Sequence, residues 1–283
     1  TRQHVTVALS GDGGDELFAG YDRYQAVALA QRFDRLPAPL RWLLSNRIWQ
    51  WLPASTRQKS RRRRFKRLLS ALRHPPERRY LKWVSIFDDE RLPGVLSQDL
   101  RDRLAGSDPA EFLLEAYAEC PLRDFVTRTT CADVLTYLPC DILTKVDIAS
   151  MAHSLEVRAP LLDQQVAEMA AAMPIEWKRR DGRGKQILLE TFSDLVPRDI
   201  QTRPKMGFGV PLDVWFRGEL RPLLEETLLD SSSLARGWFR PDAVRQLVSE
   251  HVENRWDHSY RLWSLLVFEL WQRRFIDSVA PQR

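Results

Sequence analysis

The stretch that decides the fold is HVTVALSGDGGDELFAGYDRY, residues 4–24. His4 to Leu9 is a short apolar run rich in β-branched residues, and it reads as a buried strand. Ser10 to Asp15 follows at once, carrying Gly11, Gly13 and Gly14. A helix is expected to begin near Glu16 and run to about Arg32, ahead of Pro37 and Pro39. Glycines let the backbone turn sharply and approach a ligand closely. The start of a helix aims unpaired N–H groups and a positive dipole end into the same space. Open α/β sheets bind their ligands at the carboxyl ends of strands, where this loop would stand.

The loop is not a Walker loop, because GxxxxGK[ST] is missing, and not a dinucleotide fingerprint, because Glu16 stands where the third glycine belongs. Asp12, Asp15 and Glu16 would repel a bare phosphate. They suit a pyrophosphate with Mg²⁺ between, since Mg²⁺ is commonly held by one or two carboxylates plus phosphate oxygens. The same residues also suit a plain tight turn in which Asp15 or Glu16 caps the helix.

Outward from this loop the pattern is almost all helical. Apolar periodicity predicts helices over Leu40–Leu52, Leu122–Leu138, Ile142–Leu155, Gln165–Met173 and Gly184–Leu195. Ser259–Ile276 is apolar on most sides and is expected to be a central buried helix. Two segments resist a helical reading: Glu156 to Asp163 (EVRAPLLD) and the proline- and glycine-punctuated Thr202 to Pro211. Polar residues in such punctuation are functional candidates, because loops on rigid elements often carry sites. Asp141 at a helix start reads most simply as a cap, and Glu156 and Arg158 as partners of each other. Lys185, in GRGKQILLE, reads as a first-turn helix residue with no catalytic duty.

Composition narrows the class. A chain of 283 residues with 44% apolar residues, ten tryptophans and twelve phenylalanines can build a real core in one large domain or two modest ones. Cys120, Cys131 and Cys140 are widely spaced and form no CxxC pair, so neither a disulfide framework nor a zinc site is indicated. Free thiols fit a reducing cytosol. No apolar run approaches the roughly 20 residues that span a bilayer. The net charge is +5, and much of the excess lies in RQKSRRRRFKR, residues 57–67. That run is read as a solvated face or connection, because it lacks the interleaved aromatics and the module of a nucleic-acid binder. Binding through this run, to nucleic acid or an acidic partner, is the alternative of another class.

SGDGGDELFAGYDRY (Ser10–Tyr24), LPCDILTKVDIASMAHSLEVRAPLLD (Leu138–Asp163) and RPKMGFGVPLDVWFRGEL (Arg203–Leu220) resemble, in order, three blocks of the asparagine synthetase C-terminal domain. Ala19 replaces a usual glycine, Cys140 a frequent aspartate and Leu161 a common phenylalanine. The resemblance implies an α/β fold of the adenine nucleotide alpha hydrolase (PP-loop) type, of which this chain supplies one short strand at its start and a mostly helical body. It implies that residues 1–283 are the C-terminal portion of the synthetase domain, with the SGGxDS loop and the N-terminal glutaminase domain upstream, and that the portion alone is inactive. The implied activity is cytoplasmic, ATP- and Mg²⁺-dependent amidation of aspartate through β-aspartyl-AMP, with ammonia drawn from glutamine. Related amidotransferases and cyclases act on other carboxylates and are the nearer alternative.

By the same resemblance Ser10, Gly11 and Gly13 lie against the nucleotide, and Asp12 lies near the acyl-adenylate as a candidate base. Asp15 helps to bind Mg²⁺, and Lys205 is the catalytic cation. Asp141, Lys145, Asp147, Glu156 and Arg158 line the site in support.

Overall fold

The computed structural model describes residues 1–44, 46, 68–120, 123–203 and 209–278. The basic run 57–67 and Lys205 lie outside the described residues. Most of the described chain is helical, with one two-stranded parallel sheet. Strand β1 is Val7–Leu9 and strand β2 is Glu156–Arg158, in the register Val7↔Glu156, Ala8↔Val157 and Leu9↔Arg158.

Both strands depart from expectation. The segment Glu156–Asp163, read only as non-helical, supplies a second strand and then a short 3₁₀ turn, Pro160–Leu162. A three-residue strand is too short for alternation to register in the sequence. β1 is not buried either: Leu9 is 73% exposed. Parallel strands are buried only where helices cover both faces, and two strands alone leave side chains open.

The described chain divides into two compact units. The first takes its described residues from 1–46, 68–80 and 109–203. Here the expected Glu16–Arg32 helix is broken into Gly14–Leu17 and Asp22–Asp34. Ala19 adopts a left-handed φ of 53°, and the Gly20 N–H returns to the Asp15 carbonyl at 2.8 Å, which ends the first helix. Asp124 caps the helix Phe125–Leu135, its carboxylate accepting from the N–H groups of Val126 and Thr127. A π-helical turn, Leu138–Leu143, follows around Pro139, and Thr144–Met151 continues as α-helix. Asp141 therefore sits inside the π-turn rather than at a cap. Leu17, Phe18 and Ala170 form a buried apolar cluster, packed by Leu161, Leu162, Val166, Ile187 and others.

The second unit takes its described residues from 81–108 and 209–278. Its core joins Val95, Leu212, Phe216, Leu224, Leu228, Val244, Val248, Leu262, Leu265 and Leu266. The helix expected to be buried all round, here Ser259–Trp271 with a π-helical extension Gln272–Asp277, buries one stripe only. Leu262, Leu265 and Leu266 point into the core, whereas Trp263, Val267, Leu270, Trp271 and Phe275 are exposed. With neighbours on one side, a 3.6-residue period buries one face. Among the described residues no helix is long and apolar enough to cross a membrane.

Two histidines in this unit make its stability depend on pH. His251 is fully buried, and its Nδ1 accepts the His258 backbone N–H at 3.1 Å. Burial, reinforced by Arg217, holds the His251 imidazole below its ordinary value. Burial also lowers His258, although Glu250 at 2.6 Å opposes it. The unfolded chain therefore takes up protons first. The stabilisation is complete above about pH 6.5, where unfolded histidine titrates, and is lost as pH falls through the lower folded values. Urea denaturation followed by tryptophan fluorescence should show a lower midpoint at pH 5.5 than at pH 7.5.

Candidate active site

β1 delivers the glycine loop, and the backbone fixes where it leaves the sheet. The Ser10 N–H donates to the Arg158 carbonyl at 2.8 Å, extending the parallel ladder by one bond. The Ser10 hydroxyl then donates to Asp12 Oδ2 at 2.8 Å, which holds the Asp12 carboxylate over the turn. Gly13 has a φ of 80°, and a Cβ there would lie 2.1 Å from Leu162 Cδ2. The loop is thus pressed onto the 3₁₀ turn Pro160–Leu162 from the second sequence block. At Gly11, by contrast, an added Cβ would meet nothing within 4 Å.

The three acidic residues of the loop part company. Glu16 is 1% exposed and accepts from the Tyr21 hydroxyl at 2.6 Å. Burial pushes its carboxyl up from the ordinary value, and Tyr21 opposes this. Glu16 is a structural group facing inward, not one of three carboxylates around a metal. Asp12 and Asp15 remain partly accessible. Asp15 Oδ1 lies 3.1 Å from Lys185 Nζ. Among the described residues no group of three or more His, Cys, Asp or Glu side chains could hold a metal ion by itself.

Lys185 is the residue that sequence reasoning placed wrongly. It is not in the first turn of its helix but precedes it, in a left-handed conformation with φ 58°. Its N–H donates to the Phe18 carbonyl at 2.8 Å, and its side chain reaches back to the loop. The available signal was the pair of glycines before it, Gly182 and Gly184. A Cβ at Gly184 would stand 2.0 Å from the Ala19 carbonyl oxygen, so only glycine lets the two backbones meet.

Beneath the loop lies a polar hub. Asp133 is 2% exposed and accepts from the Tyr24 hydroxyl at 2.6 Å, from the Tyr80 hydroxyl at 2.6 Å and from Arg23 at 2.8 Å. The Arg23 guanidinium lies 4.1 Å from the Tyr21 ring centre and 4.4 Å from that of Tyr137. Tyr137 directly precedes the π-turn Leu138–Leu143 that carries Asp141. The glycine loop is thus linked through Tyr21 and Arg23 to Tyr137 at the head of the π-turn. None of these four supporting residues, Tyr21, Arg23, Asp133 and Tyr137, was singled out from the sequence.

The remaining predicted residues are all exposed, and four of them form two pairs, Glu156 with Arg158 as expected. Asp141 and Lys145 are exposed and 3.9 Å apart. Glu156 accepts from Arg158 Nε at 2.6 Å on β2, where both are exposed. Asp147 is exposed on the following helix. The chemistry the loop offers is an open glycine turn at a strand end, two accessible carboxylates and one ammonium. The Gly184→Ala variant should lose stability at or above the roughly 1–3 kcal/mol typical of overpacking, because its clash is with backbone. Gly11→Ala should stay within about 0.5 kcal/mol of the unaltered protein. Equilibrium urea denaturation of the two variants checks both.

The sequence profile of the Asparagine synthase family matches residues 1–273. An "Asparagine synthetase [glutamine-hydrolyzing] 1" of Bacillus subtilis (strain 168) is 31% identical over 270 residues, covering 95% of this chain and 40% of that protein. A "Putative asparagine synthetase [glutamine-hydrolyzing]" of Mycobacterium tuberculosis (strain ATCC 25618 / H37Rv) is 36% identical over 287 aligned residues, covering 99% of this chain and 41% of that protein. The human "Asparagine synthetase [glutamine-hydrolyzing]" is 38% identical over 72 residues, 24% of this chain. The chain spans about two fifths of the length of the first two relatives. No solved structure matches it significantly. With a profile match from end to end of its loop, hub and helical body, the chain belongs to the asparagine synthase family.

Proposed function

We propose that this chain is the C-terminal portion of a PP-loop synthetase domain that makes asparagine from aspartate, ATP and ammonia released from glutamine. The observation that carries the reading is the family match over residues 1–273, which includes an open loop with two accessible carboxylates at a strand end. The SGGxDS loop and the glutaminase domain belong, on this reading, to the part of the protein upstream of Thr1. Aspartate's side-chain carboxylate attacks the α-phosphorus of ATP, the bond to pyrophosphate breaks, and β-aspartyl-AMP forms. Ammonia then attacks the acyl carbon, and AMP leaves with its phosphate oxygen.

Ser10, Gly11 and Gly13 support the nucleotide, the open face of Gly11 giving its phosphates room to approach. Asp12, held by Ser10, takes the proton that the attacking nitrogen sheds. Asp15 is the carboxylate for Mg²⁺. One or two carboxylates plus phosphate oxygens are an ordinary Mg²⁺ set, so the absence of a larger acidic group among the described residues fits. When bound, the ion neutralises charge on the pyrophosphate. Lys205 is the cation for the charge that builds on phosphorus and then on the acyl oxygen. Asp141, Lys145, Asp147, Glu156 and Arg158 support the substrate side.

The test is an assay of AMP and pyrophosphate release by the full-length protein carrying this chain, with aspartate, glutamine and Mg-ATP. Aspartate-dependent AMP release with asparagine as product is expected. In Lys205→Ala the rate should fall on the order of a hundredfold or more, the usual cost of losing one such donor. The isolated 283-residue chain should release no AMP. AMP release only with another carboxylate would keep the chemistry and change the substrate, and no release with any acid would refute the reading.

A further inference from the structure

We propose that Lys185 is a positioning residue that makes metal binding at Asp15 depend on a pyrophosphate-bearing ligand; this rests on the reading of the loop given above. Without ligand, its ammonium sits on the carboxylate that would receive the metal, 3.1 Å from Asp15 Oδ1. When a pyrophosphate arrives, the ammonium acquires a second anionic partner, and the carboxylate is released to the ion. Metal and pyrophosphate therefore bind together more readily than either binds alone.

The geometry is bought by several local compromises that all serve one contact. Lys185 holds a left-handed φ of 58°, which side-chain-bearing residues adopt at a cost. Ala19, opposite it, holds 53°. Such outliers persist only where their surroundings fix them, and they gather at functional sites. Here the surroundings are specific. The Lys185 N–H donates to the Phe18 carbonyl at 2.8 Å. Arg179 donates to the Ala19 carbonyl at 3.2 Å and to the Gly182 carbonyl at 2.8 Å. Gly184 leaves no room for a Cβ against Ala19, and a Cβ on Gly20 would stand 2.0 Å from Asp15 Oδ1 and 2.7 Å from Lys185 Cε.

An ion pair this exposed adds little to folding stability, so stability does not account for the arrangement. The Lys185 side chain is 34% exposed and that of Asp15 24%, so both can be reached by a ligand. A Cβ on Gly14 would lie 3.6 Å from Lys185 Nζ, which puts the ammonium on the glycine turn itself. Its backbone is pinned, but four side-chain rotors leave the ammonium able to turn from one anion to another.

The test uses the full-length protein with Mn²⁺ standing in for Mg²⁺. Free Mn²⁺ is followed by electron paramagnetic resonance, with and without inorganic pyrophosphate, and pyrophosphate affinity is measured by calorimetry in the presence of Mn²⁺. In Lys185→Met, Mn²⁺ alone should bind roughly threefold to tenfold more tightly, because a competing charge is gone. Pyrophosphate should bind about tenfold or more weakly, because its own countercharge is gone. Lys185→Arg should restore both toward the unaltered values, and Lys185→Gln should behave as Lys185→Met does, which covers a failure of one variant to fold.

Opposite shifts of the two affinities support the proposal, since a merely structural role would weaken both together. Unchanged affinities, or a parallel loss of both, in Lys185→Met and Lys185→Gln would overturn it while leaving the loop's reading intact. If the unaltered protein binds neither Mn²⁺ nor pyrophosphate, the reading of the loop fails and this proposal falls with it.

Discussion

The first unit is organised by the need to satisfy one buried carboxylate. Asp133 is almost wholly withdrawn from water, and an ionised carboxylate in such a place is tolerable only when its lone pairs are filled. Three helices answer that demand. Asp22–Asp34 contributes Arg23 and Tyr24, Pro76–Val84 contributes Tyr80, and Phe125–Leu135 carries the carboxylate itself. Their directions are thereby fixed more strictly than apolar packing alone would fix them, because hydrogen bonds near 2.6 Å admit little play. Tyr21 and Tyr137 on either side of Arg23 carry that order outward to Glu16 and to the π-turn holding Asp141.

Above this rigid base the glycine loop is held differently, by backbone rather than by side chains. Ser10 is tied to β2, Phe18 to Lys185, and Ala19 to Arg179. Each tie uses a carbonyl or an N–H that a short loop would otherwise leave to solvent. The accessible polar groups left over are Asp12, Asp15, the Lys185 ammonium and the open backbone at Gly11, the groups to which roles are proposed above. A site built this way has ligand groups at the surface and a desolvated polar support beneath, so reach and rigidity come from different residues.

Much of this was legible in the sequence, and the exceptions have physical causes. The loop was found because its glycines and carboxylates are contiguous and follow a β-branched run. Several helices were placed because apolar periodicity is local. Those over Leu122–Leu138, Ile142–Leu155, Gln165–Met173 and Gly184–Leu195 end within one to four residues of the structure's bounds, whereas Pro76–Val84, Glu111–Ala118, Arg221–Leu228 and Pro241–Val252 were not singled out. The break at Ala19 was missed because an alanine with positive φ has no signature of its own; the neighbouring backbone imposes it. β2 was missed because a strand of three residues has no period. The last helix was read as buried because hydropathy reports how many apolar residues a helix has, not how many neighbours it has.

What the sequence determined by itself was chemical identity and local order: strand, glycine loop, carboxylates, the three motif blocks and their succession, hence the family. Those are properties of adjacent residues, and adjacency is all a linear chain records. Tertiary structure alone decided which carboxylate faces inward and which outward, since Glu16 and Asp15 are neighbours in sequence with opposite surroundings. It alone decided that Lys185, 170 residues beyond Asp15 in the chain, stands 3.1 Å from it. That contact depends on two glycines that let distant backbones touch, and on a left-handed turn that only the assembled fold can hold in place.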